Sequence, residues 1–396
     1  MKNYYVLSNG RVKREANTLY IENEAGQKKP VPIEDVESLY LYGEVDLNTR
    51  LLNFLSQKKI PLHVFNYYGF YAGSYYPREY LHSGYLLVHQ VSHYTDRDKR
   101  LFLAHELVRG AAHSLLRNIA YYEKRKGGNG EEREPPGEVG AEDVPVLSGI
   151  PTDPETEAAV DATVVLPADA SDADTDEGDA DPLVGAVVWD ETPRPLGTLR
   201  NVIGDLSELI GAQEEVNAVR GIEGKMRERY YQAWRHILSE GWTFERRVRR
   251  PPDNEVNALI SFGNSHLYTV CLGEIYRTQL TPTISYLHEP GARRFSLALD
   301  LSEIFKPLIV DRAIFRLINT GQLKESHFDR SLDGCFLTDP GKKLFLNALE
   351  ERLATTIKHR RLGRSVSYRH LIRLECYKLV RHLTGVETYR AFRAWW

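Results

Sequence analysis

The chain has 396 residues, 42% of them hydrophobic, and its 51 basic and 55 acidic side chains give a formal net charge of −4. This length allows two domains with separate cores, and the lack of any apolar run of about 18 residues argues against a membrane span. The N-terminus has no signal-peptide core, so we expect a cytoplasmic protein. The three cysteines, Cys271, Cys335 and Cys376, are odd in number and far apart, which suits neither a disulfide framework nor a thiolate zinc site.

Residues 1–85 are predicted to form a small β-rich domain, because short runs of β-branched and aromatic residues alternate with turn signals such as Ser8-Asn9-Gly10. The runs are Tyr4–Leu7, Thr18–Ile21, Val36–Tyr42 and Leu62–Phe65. One helix is expected between the last two of these runs, since Asp46, Asn48 or Thr49 can cap a stripe of leucines that starts at Leu51.

Residues 86–126 are predicted to contain a connector and then the first helix of a second, helical domain. Apolar side chains recur at helical spacing from Asp96 to Lys126. Lys124, Arg125 and Lys126 place positive charge at the C-terminal end of this helix, where the helix dipole favours it.

Residues 127–197 differ from the rest of the chain in composition. They hold 19 acidic side chains against Arg133 and Arg194, together with nine prolines, and few large apolar groups. Such a segment cannot bury enough surface to fold, so we predict a disordered acidic insertion. The other 325 residues hold 49 basic and 36 acidic side chains, which favours a polyanionic partner such as nucleic acid.

Residues 198–396 are predicted to form an α-helical domain, which contains a cluster of basic residues before Pro251-Pro252 that cannot be helical throughout. Four arginines, Arg246, Arg247, Arg249 and Arg250, fall within five positions. Such a cluster suits contacts with DNA phosphates, although a solvated loop is the simpler alternative. The basic stretch from Lys358 to Trp396, with Tyr368, Tyr377 and Tyr389, also suits a nucleic-acid track or a solvated terminal face.

A candidate metal site lies in residues 284–312. Asp300 and Glu303 are three residues apart on a predicted helix that opens near Ser296, so their carboxylates point the same way. His288 precedes a turn and can fold back toward them. Pro307 cannot donate to the carbonyl of Glu303, which predicts a bend beside the acids. Acids at this spacing also occur on ordinary solvated faces, but the leucines around them indicate burial.

Three motifs occur in an order that resembles the CRISPR-associated integrase family, the metal-dependent DNA endonucleases that insert new spacers. They are Gly-Ile-Glu-Gly at 221–224, Arg-Arg-Pro-Pro-Asp-Asn-Glu-Val-Asn-Ala-Leu at 249–259, and Leu287-His288 followed by Ser-Leu-Ala-Leu-Asp-Leu-Ser-Glu-Ile-Phe-Lys-Pro at 296–307. The resemblance covers residues 1–126 and 198–350. The chain departs from the family in its acidic insertion and in Lys225 and Met226, which follow Glu223.

The resemblance implies an α+β protein with a small N-terminal β-rich domain, used for dimerisation, and a larger all-α catalytic domain. It implies metal ligands at Glu223, His288 and Glu303, with Asp300 as a neighbouring active-site acid. Oxygen ligands suit Mg²⁺, and the imidazole shifts the preference toward Mn²⁺. The implied partners are double-stranded DNA, a second copy of the chain and a small ferredoxin-like protein.

The activity implied is the joining of spacer DNA to a CRISPR repeat array by attack of a 3′-hydroxyl on a phosphodiester. Two other classes are open from the residues alone. A non-catalytic architectural DNA-binding protein would need only the basic surface, and a hydrolase of small phosphate esters would need the acids without the arginines.

Overall fold

The computed structural model describes residues 2–24, 26–77, 81, 83–126, 146–147, 194–249, 251–291, 295–331, 334–359 and 361–395. Within these ranges a strand-rich N-terminal part is followed by a mainly helical part, which confirms the predicted α+β class.

The N-terminal part consists of two sheets and one helix. Its elements are β1 (Lys2–Val6), β2 (Gly10–Glu15), β3 (Thr18–Asn23), β4 (Lys28–Pro32), β5 (Val36–Leu41), β6 (Val45–Asp46), α1 (Thr49–Lys58), β7 (Leu62–Phe65) and β8 (Tyr71–Tyr75). The first sheet contains the neighbours β8-β7-β5-β1, parallel except for the pair of β7 and β8, and the second has the order β4-β3-β2-β6. Asn48 caps α1, since its Oδ1 accepts a hydrogen bond from the Leu51 amide at 2.9 Å.

The rest of the chain is built around helices. Its elements are α2 (Gly84–Thr95), α3 (Arg97–Lys126), β9 (Val146–Leu147), α4 (Leu196–Glu208), α5 (Val216–Ile237), α6 (Glu255–Tyr276), α7 (Ser296–Lys306), α8 (Arg312–Asn319), β10 (Phe328–Ser331), β11 (Gly334–Leu337), α9 (Asp339–Ala354), β12 (Thr356–Lys358), β13 (Ser365–Ser367) and α10 (Tyr368–Leu383). Two predictions are corrected here. The expected connector contains the helix α2, and the part expected to be all-α contains the antiparallel pairs β10–β11 and β12–β13.

Most of the acidic insertion predicted for residues 127–197 lies outside the described residues. Within it, Val146 and Leu147 form β9, which pairs in parallel with Tyr5 and Val6 at the edge of the first sheet. The prediction of disorder is therefore wrong for these two residues. The predicted end of the insertion, at residue 197, is also slightly too late, because α4 already begins at Leu196.

Both faces of the first sheet are buried, which explains the unbroken apolar run in β1. Tyr4 and Val6 face the second sheet and α1, where they join the core of the β-rich part. Tyr5 and Leu7 point the opposite way and belong to the large core of the helical part. Alternate side chains therefore serve two cores, and the β-rich part is joined to the helices by a continuous apolar contact.

The helix α7 lies in the centre of the helical part, where it packs against α3 and α6. A side chain at Gly110 of α3 would lie 2.7 Å from Cβ of Ala391 and 3.4 Å from Cγ1 of Ile304. Glycine at this position therefore allows α3 to approach α7 and the C-terminal segment closely. None of the described helices is long and apolar enough to cross a membrane.

Candidate active site

The acids and the histidine singled out from the sequence come from two helices and one loop. Glu223 lies on α5, His288 on the loop before α7, and Asp300 and Glu303 on α7 itself. Both α5 and α7 pack against α3, which holds the two helices in the same part of the core. After α7 the backbone forms a π-helical turn, Pro307–Asp311, where the sequence predicted a bend.

Asp300 is fully buried and organises the loop that carries His288. Its Oδ2 accepts hydrogen bonds from the backbone amides of Tyr286 and Leu287 at 2.7 and 3.1 Å. Its Oδ1 accepts from the amide of His288 at 3.0 Å and lies 2.8 Å from the ring Nδ1 of the same residue. Asp300 therefore fixes both the backbone and the ring of His288.

The contact with Asp300 decides which nitrogen of His288 can bind a ligand. Because a carboxylate can only accept, Nδ1 carries the proton, and Nε2 of the neutral ring is free to act as a ligand. Burial lowers the pKa of His288, but the hydrogen bond and charge of Asp300, together with the charges of Glu303 and Glu223, outweigh burial and raise it.

Glu303 is held between two cations. Its Oε2 accepts a hydrogen bond from Nη2 of Arg227 at 2.5 Å, and its Oε1 is bound by Nζ of Lys306. Burial would raise the pKa of Glu303, but Lys306, Arg227 and His288 together lower it to about 2. Glu303 is therefore a carboxylate anion at neutral pH.

Glu223 shares Arg227 with Glu303. Nε of Arg227 lies 3.6 Å from Oε1 of Glu223, one helical turn away on α5. Burial and the charge of Glu303 raise the pKa of Glu223 despite the opposing effects of Arg227, Lys306 and His288. Burial lowers the pKa of Arg227, but Glu303 and Glu223 outweigh it and raise the value well above that of a free arginine. The two acids, the histidine and the arginine thus form one electrostatic unit.

This unit fits a divalent cation in the kind and charge of its side chains. Two carboxylates and an imidazole oriented by a buried acid are a typical donor set for Mn²⁺ or Mg²⁺. In the described parts of the chain, however, no three His, Cys, Asp or Glu side chains are gathered tightly enough to hold a metal ion as they stand. The charge of the acids is compensated by Arg227 and Lys306 instead.

The sequence reasoning missed Arg227 and Lys306, although their spacing carried a signal. Arg227 lies four residues after Glu223 and Lys306 lies three residues after Glu303, and both spacings place side chains on one face of a helix. It also missed Asn118 on α3, whose side chain donates to the carbonyl of Pro307 at 2.5 Å and so binds the π-helical turn.

The arginines proposed to bind DNA do not all have the same environment. Arg246 and Arg249 are exposed, and Arg250 lies outside the described residues. Arg247 instead donates to Oδ1 of Asn257 at 2.9 Å and to Oγ of Ser261 at 2.8 Å, and burial lowers its pKa to about 10. Arg247 therefore attaches the loop to α6, and Arg246 and Arg249 are the exposed members of the predicted DNA-binding set.

The tyrosines near the C-terminus also differ from the expected nucleic-acid track. Tyr368 and Tyr389 are buried, and the Tyr389 hydroxyl donates to Glu375 at 2.6 Å. Only Tyr377 of the three is exposed, at 44%. Two of these rings therefore belong to the core, and Tyr377 and the basic side chains remain candidates for DNA contacts.

The fold and this acid–imidazole cluster define a two-part protein with a candidate catalytic centre on its helical part. The family model described as "CRISPR associated protein Cas1" matches residues 4–138 and 190–351. The chain is 41% identical over its full length, and the full length of the relative, to "CRISPR-associated endonuclease Cas1 3" of Thermodesulfovibrio yellowstonii. It is 43% identical, again over both full lengths, to "CRISPR-associated endonuclease Cas1 2" of Moorella thermoacetica. The chain belongs to the Cas1 family.

Solved structures agree with this assignment. A CAS1 protein from Thermotoga maritima has a TM-score of 0.73 and 35% identity, and the match covers 99% of this chain and 100% of that one. A casposase bound to integration product, at 16% identity and TM-score 0.73, covers 99% of this chain and 93% of the other. A Cas6-RT-Cas1–Cas2 complex has 16% identity and a TM-score of 0.70, and the match covers 99% of this chain and 36% of the other. The last two likenesses show the fold alone.

Proposed function

We propose that this chain is a metal-dependent DNA endonuclease and integrase that joins new spacer DNA to a CRISPR repeat array. The observation that carries the proposal is the electrostatic unit of Glu223, His288 and Glu303, with Asp300 orienting the histidine, in a chain of this family. The names of the full-length relatives support nuclease activity. The metal dependence and the strand-transfer step are our inference.

The proposed reaction exchanges one phosphodiester for another. The 3′-hydroxyl of the incoming DNA loses its proton, and its oxygen forms a bond to a phosphorus atom of the recipient repeat. The bond between that phosphorus and the 3′ oxygen of the recipient strand breaks, and this oxygen takes up a proton. With water in place of the 3′-hydroxyl, the same site would cut DNA.

Each residue of the site has a distinct part in this proposal. Glu223, His288 and Glu303 would hold the divalent ion. When bound, the ion supplies a Lewis acid for the phosphate and lowers the pKa of the attacking hydroxyl. Asp300 keeps the proton on Nδ1 of His288, so that Nε2 stays available as a ligand.

We also place this activity in an assembly, as part of the same proposal. A homodimer, and a complex with a small ferredoxin-like partner and two DNA duplexes, are implied by the family resemblance. The solved Cas6-RT-Cas1–Cas2 complex supports the idea of a partner protein.

The function is tested by incubating the purified chain, with and without the partner protein, with a labelled DNA duplex and a plasmid that carries a repeat. We expect the label to become covalently joined to the plasmid in Mn²⁺ and to remain free when EDTA is added. DNA binding without joined product in either condition would favour the architectural alternative. Faster hydrolysis of p-nitrophenyl phosphate than of DNA would favour the small-ester hydrolase.

The DNA-binding surface is tested by the double variant Arg246→Ala/Arg249→Ala. These two side chains are exposed, so their loss should weaken binding to all DNA sequences and reduce the log–log salt slope by about 2, roughly one for each phosphate contact. The control, Arg11→Ala/Lys28→Ala, removes the same charge from side chains that are ion-paired on the second sheet. Equal slopes for the two double variants, measured by fluorescence anisotropy between low and high salt, would place the arginines away from DNA.

A further inference from the structure

The position of Arg227 raises a question about how a cation enters the proposed metal site. Arg227 is 13% exposed and lies between the two acids, 2.5 Å from Oε2 of Glu303 and 3.6 Å from Oε1 of Glu223. Two unit charges of the same sign at about 4 Å repel strongly in a buried environment. A divalent ion held by the same carboxylates would therefore be opposed by the guanidinium unless Arg227 moves.

A third carboxylate lies within electrostatic range of Arg227. Asp311, at the end of the π-helical turn after α7, is one of the carboxylates whose charge raises the pKa of Arg227. The side chain of Asn118 binds both this turn, at the Pro307 carbonyl, and the hydroxyl of Tyr230, three residues after Arg227 on α5. Asp311 is 2% exposed, and its buried Oδ2 accepts no hydrogen bond within the described structure. A buried acceptor without a donor is unfavourable, so such a group calls for an explanation.

The π-helical turn is also held by contacts that do not involve the Asp311 side chain. The carbonyl of Pro307 is bound by Asn118, and Nε of Arg312 donates to Oδ1 of Asn118 at 2.6 Å. These contacts fix both ends of the π-helical turn without the Asp311 side chain. Oδ2 of Asp311 can therefore accept a hydrogen bond from a cation, while the Tyr230 hydroxyl also acts on this carboxyl.

We propose that Arg227 is a built-in counter-cation, which neutralises Glu223 and Glu303 in the metal-free protein and turns to Asp311 when a divalent ion binds. This inference rests on the proposed metal site. It assigns Asp311 a role as the acceptor that stabilises the displaced guanidinium, and Arg227 a role as the competitor that sets the metal affinity. Neither residue is a metal ligand in this scheme.

The test is Mn²⁺ binding to the full chain, measured by calorimetry, with thermal melting of the metal-free protein as a second readout. Arg227→Gln should bind Mn²⁺ at least about tenfold more tightly than the wild type, because the competing charge is gone. The same variant should melt at a lower temperature without metal, because Glu223 and Glu303 have lost the cation that they share. Arg229→Gln is the matched control, since Arg229 lies on the same helix but pairs with Glu228.

Asp311→Asn gives an independent test that leaves Arg227 and both acids in place. It should weaken Mn²⁺ binding by about fivefold, because the displaced guanidinium has lost its acceptor. In the Arg227→Gln background the same change should have no effect on Mn²⁺ affinity. This non-additivity separates displacement of Arg227 from a general structural effect of Asp311.

The possible results decide between the two proposals. If Arg227→Gln binds Mn²⁺ no more tightly than Arg229→Gln, or if Asp311→Asn acts equally in both backgrounds, the counter-cation inference is wrong while the metal site stands. If the wild type and all these variants bind Mn²⁺ no better than Glu303→Gln does, the proposed metal site is wrong, and so is the counter-cation inference that rests on it.

Discussion

Replacing Glu303 by Gln should abolish strand transfer while DNA binding persists. The substitution keeps the size of the side chain and removes the charge that a divalent ion requires. Loss of several kcal/mol of transition-state stabilisation corresponds to a rate lower by about a thousandfold or more. Glu223→Gln and His288→Ala should have effects of the same order, measured as joined product on a repeat-bearing plasmid in Mn²⁺.

Asp300→Asn should lower the rate less than loss of a proposed ligand, by about 10- to 100-fold. Asparagine can still accept from the backbone amides of the loop, but it holds the His288 ring without a negative charge. The matched control is Glu289→Gln, directly after His288. Glu289 faces Arg100 at 2.7 Å and the Tyr94 hydroxyl at 3.0 Å, so this variant should retain the wild-type rate.

Melting curves provide a readout that does not depend on activity. At a hundredfold excess of Mn²⁺ over its dissociation constant, the wild type should gain about 2.7 kcal/mol in stability. Glu223→Gln, His288→Ala and Glu303→Gln should show no such gain. In metal-free buffer Glu303→Gln should melt below the wild type, because Glu303 is paired with Arg227 and Lys306 and is not simply repelled by Glu223. Full activity of Glu303→Gln and His288→Ala would refute the proposed site.

The part of the site that could be predicted from sequence is the part that is local in sequence. His288, Asp300 and Glu303 fall within one loop and two turns of one helix, so spacing alone brought them together. The bend at Pro307 followed from a missing backbone donor, and the structure has a π-helical turn there. Glu223 lies on another helix, and only the family resemblance linked it to these residues.

The predictions that failed depended on packing that a residue pattern does not contain. Arg247 looked like its neighbours in a basic run, but Asn257 and Ser261 bind it on α6. In the helix α2, the side chains of Tyr85 and Val88 are 65% and 68% exposed, so the apolar residues do not mark one buried face. The sequence therefore predicted a connector where the structure has this helix. The strand β4 contains two prolines, which argue against a strand except at the sheet edge, where β4 lies.

The contact between the β-rich part and the helices contains a buried ion pair as well as apolar side chains. Glu350 on α9 accepts from Nη2 of Arg369 on α10 at 2.6 Å and from the hydroxyl of Tyr5 on β1. Nε2 of His266 on α6 lies 3.8 Å from the same carboxylate oxygen. One carboxylate therefore links the first sheet to three helices.

The charge of Glu350 is strongly favoured in the folded protein. Burial would raise its pKa, but Arg369, His266 and Tyr5 together lower it to about 2. Because the pKa of an unfolded glutamate is higher, about 4.3, the charged form stabilises the fold at neutral pH. This contribution is fully present above the unfolded pKa and is lost as the pH falls from about 4 toward 2.

Glu350→Gln should therefore lower the free energy of unfolding by about 3 kcal/mol at pH 7, since it leaves Arg369 buried without its anion. The difference from the wild type should shrink as the pH is lowered from 5 to 3, because the wild-type carboxylate loses its advantage there. Glu351→Gln is the control. Glu351 is the next residue along the chain, its side chain is 45% exposed, and it pairs with Arg316 at the surface, so the loss of its charge should change the free energy of unfolding by less than about 1 kcal/mol. Urea unfolding at pH 7, 5, 4 and 3 measures both variants. Equal stability of the two at pH 7 would mean that the apolar contact alone joins the β-rich part to the helices.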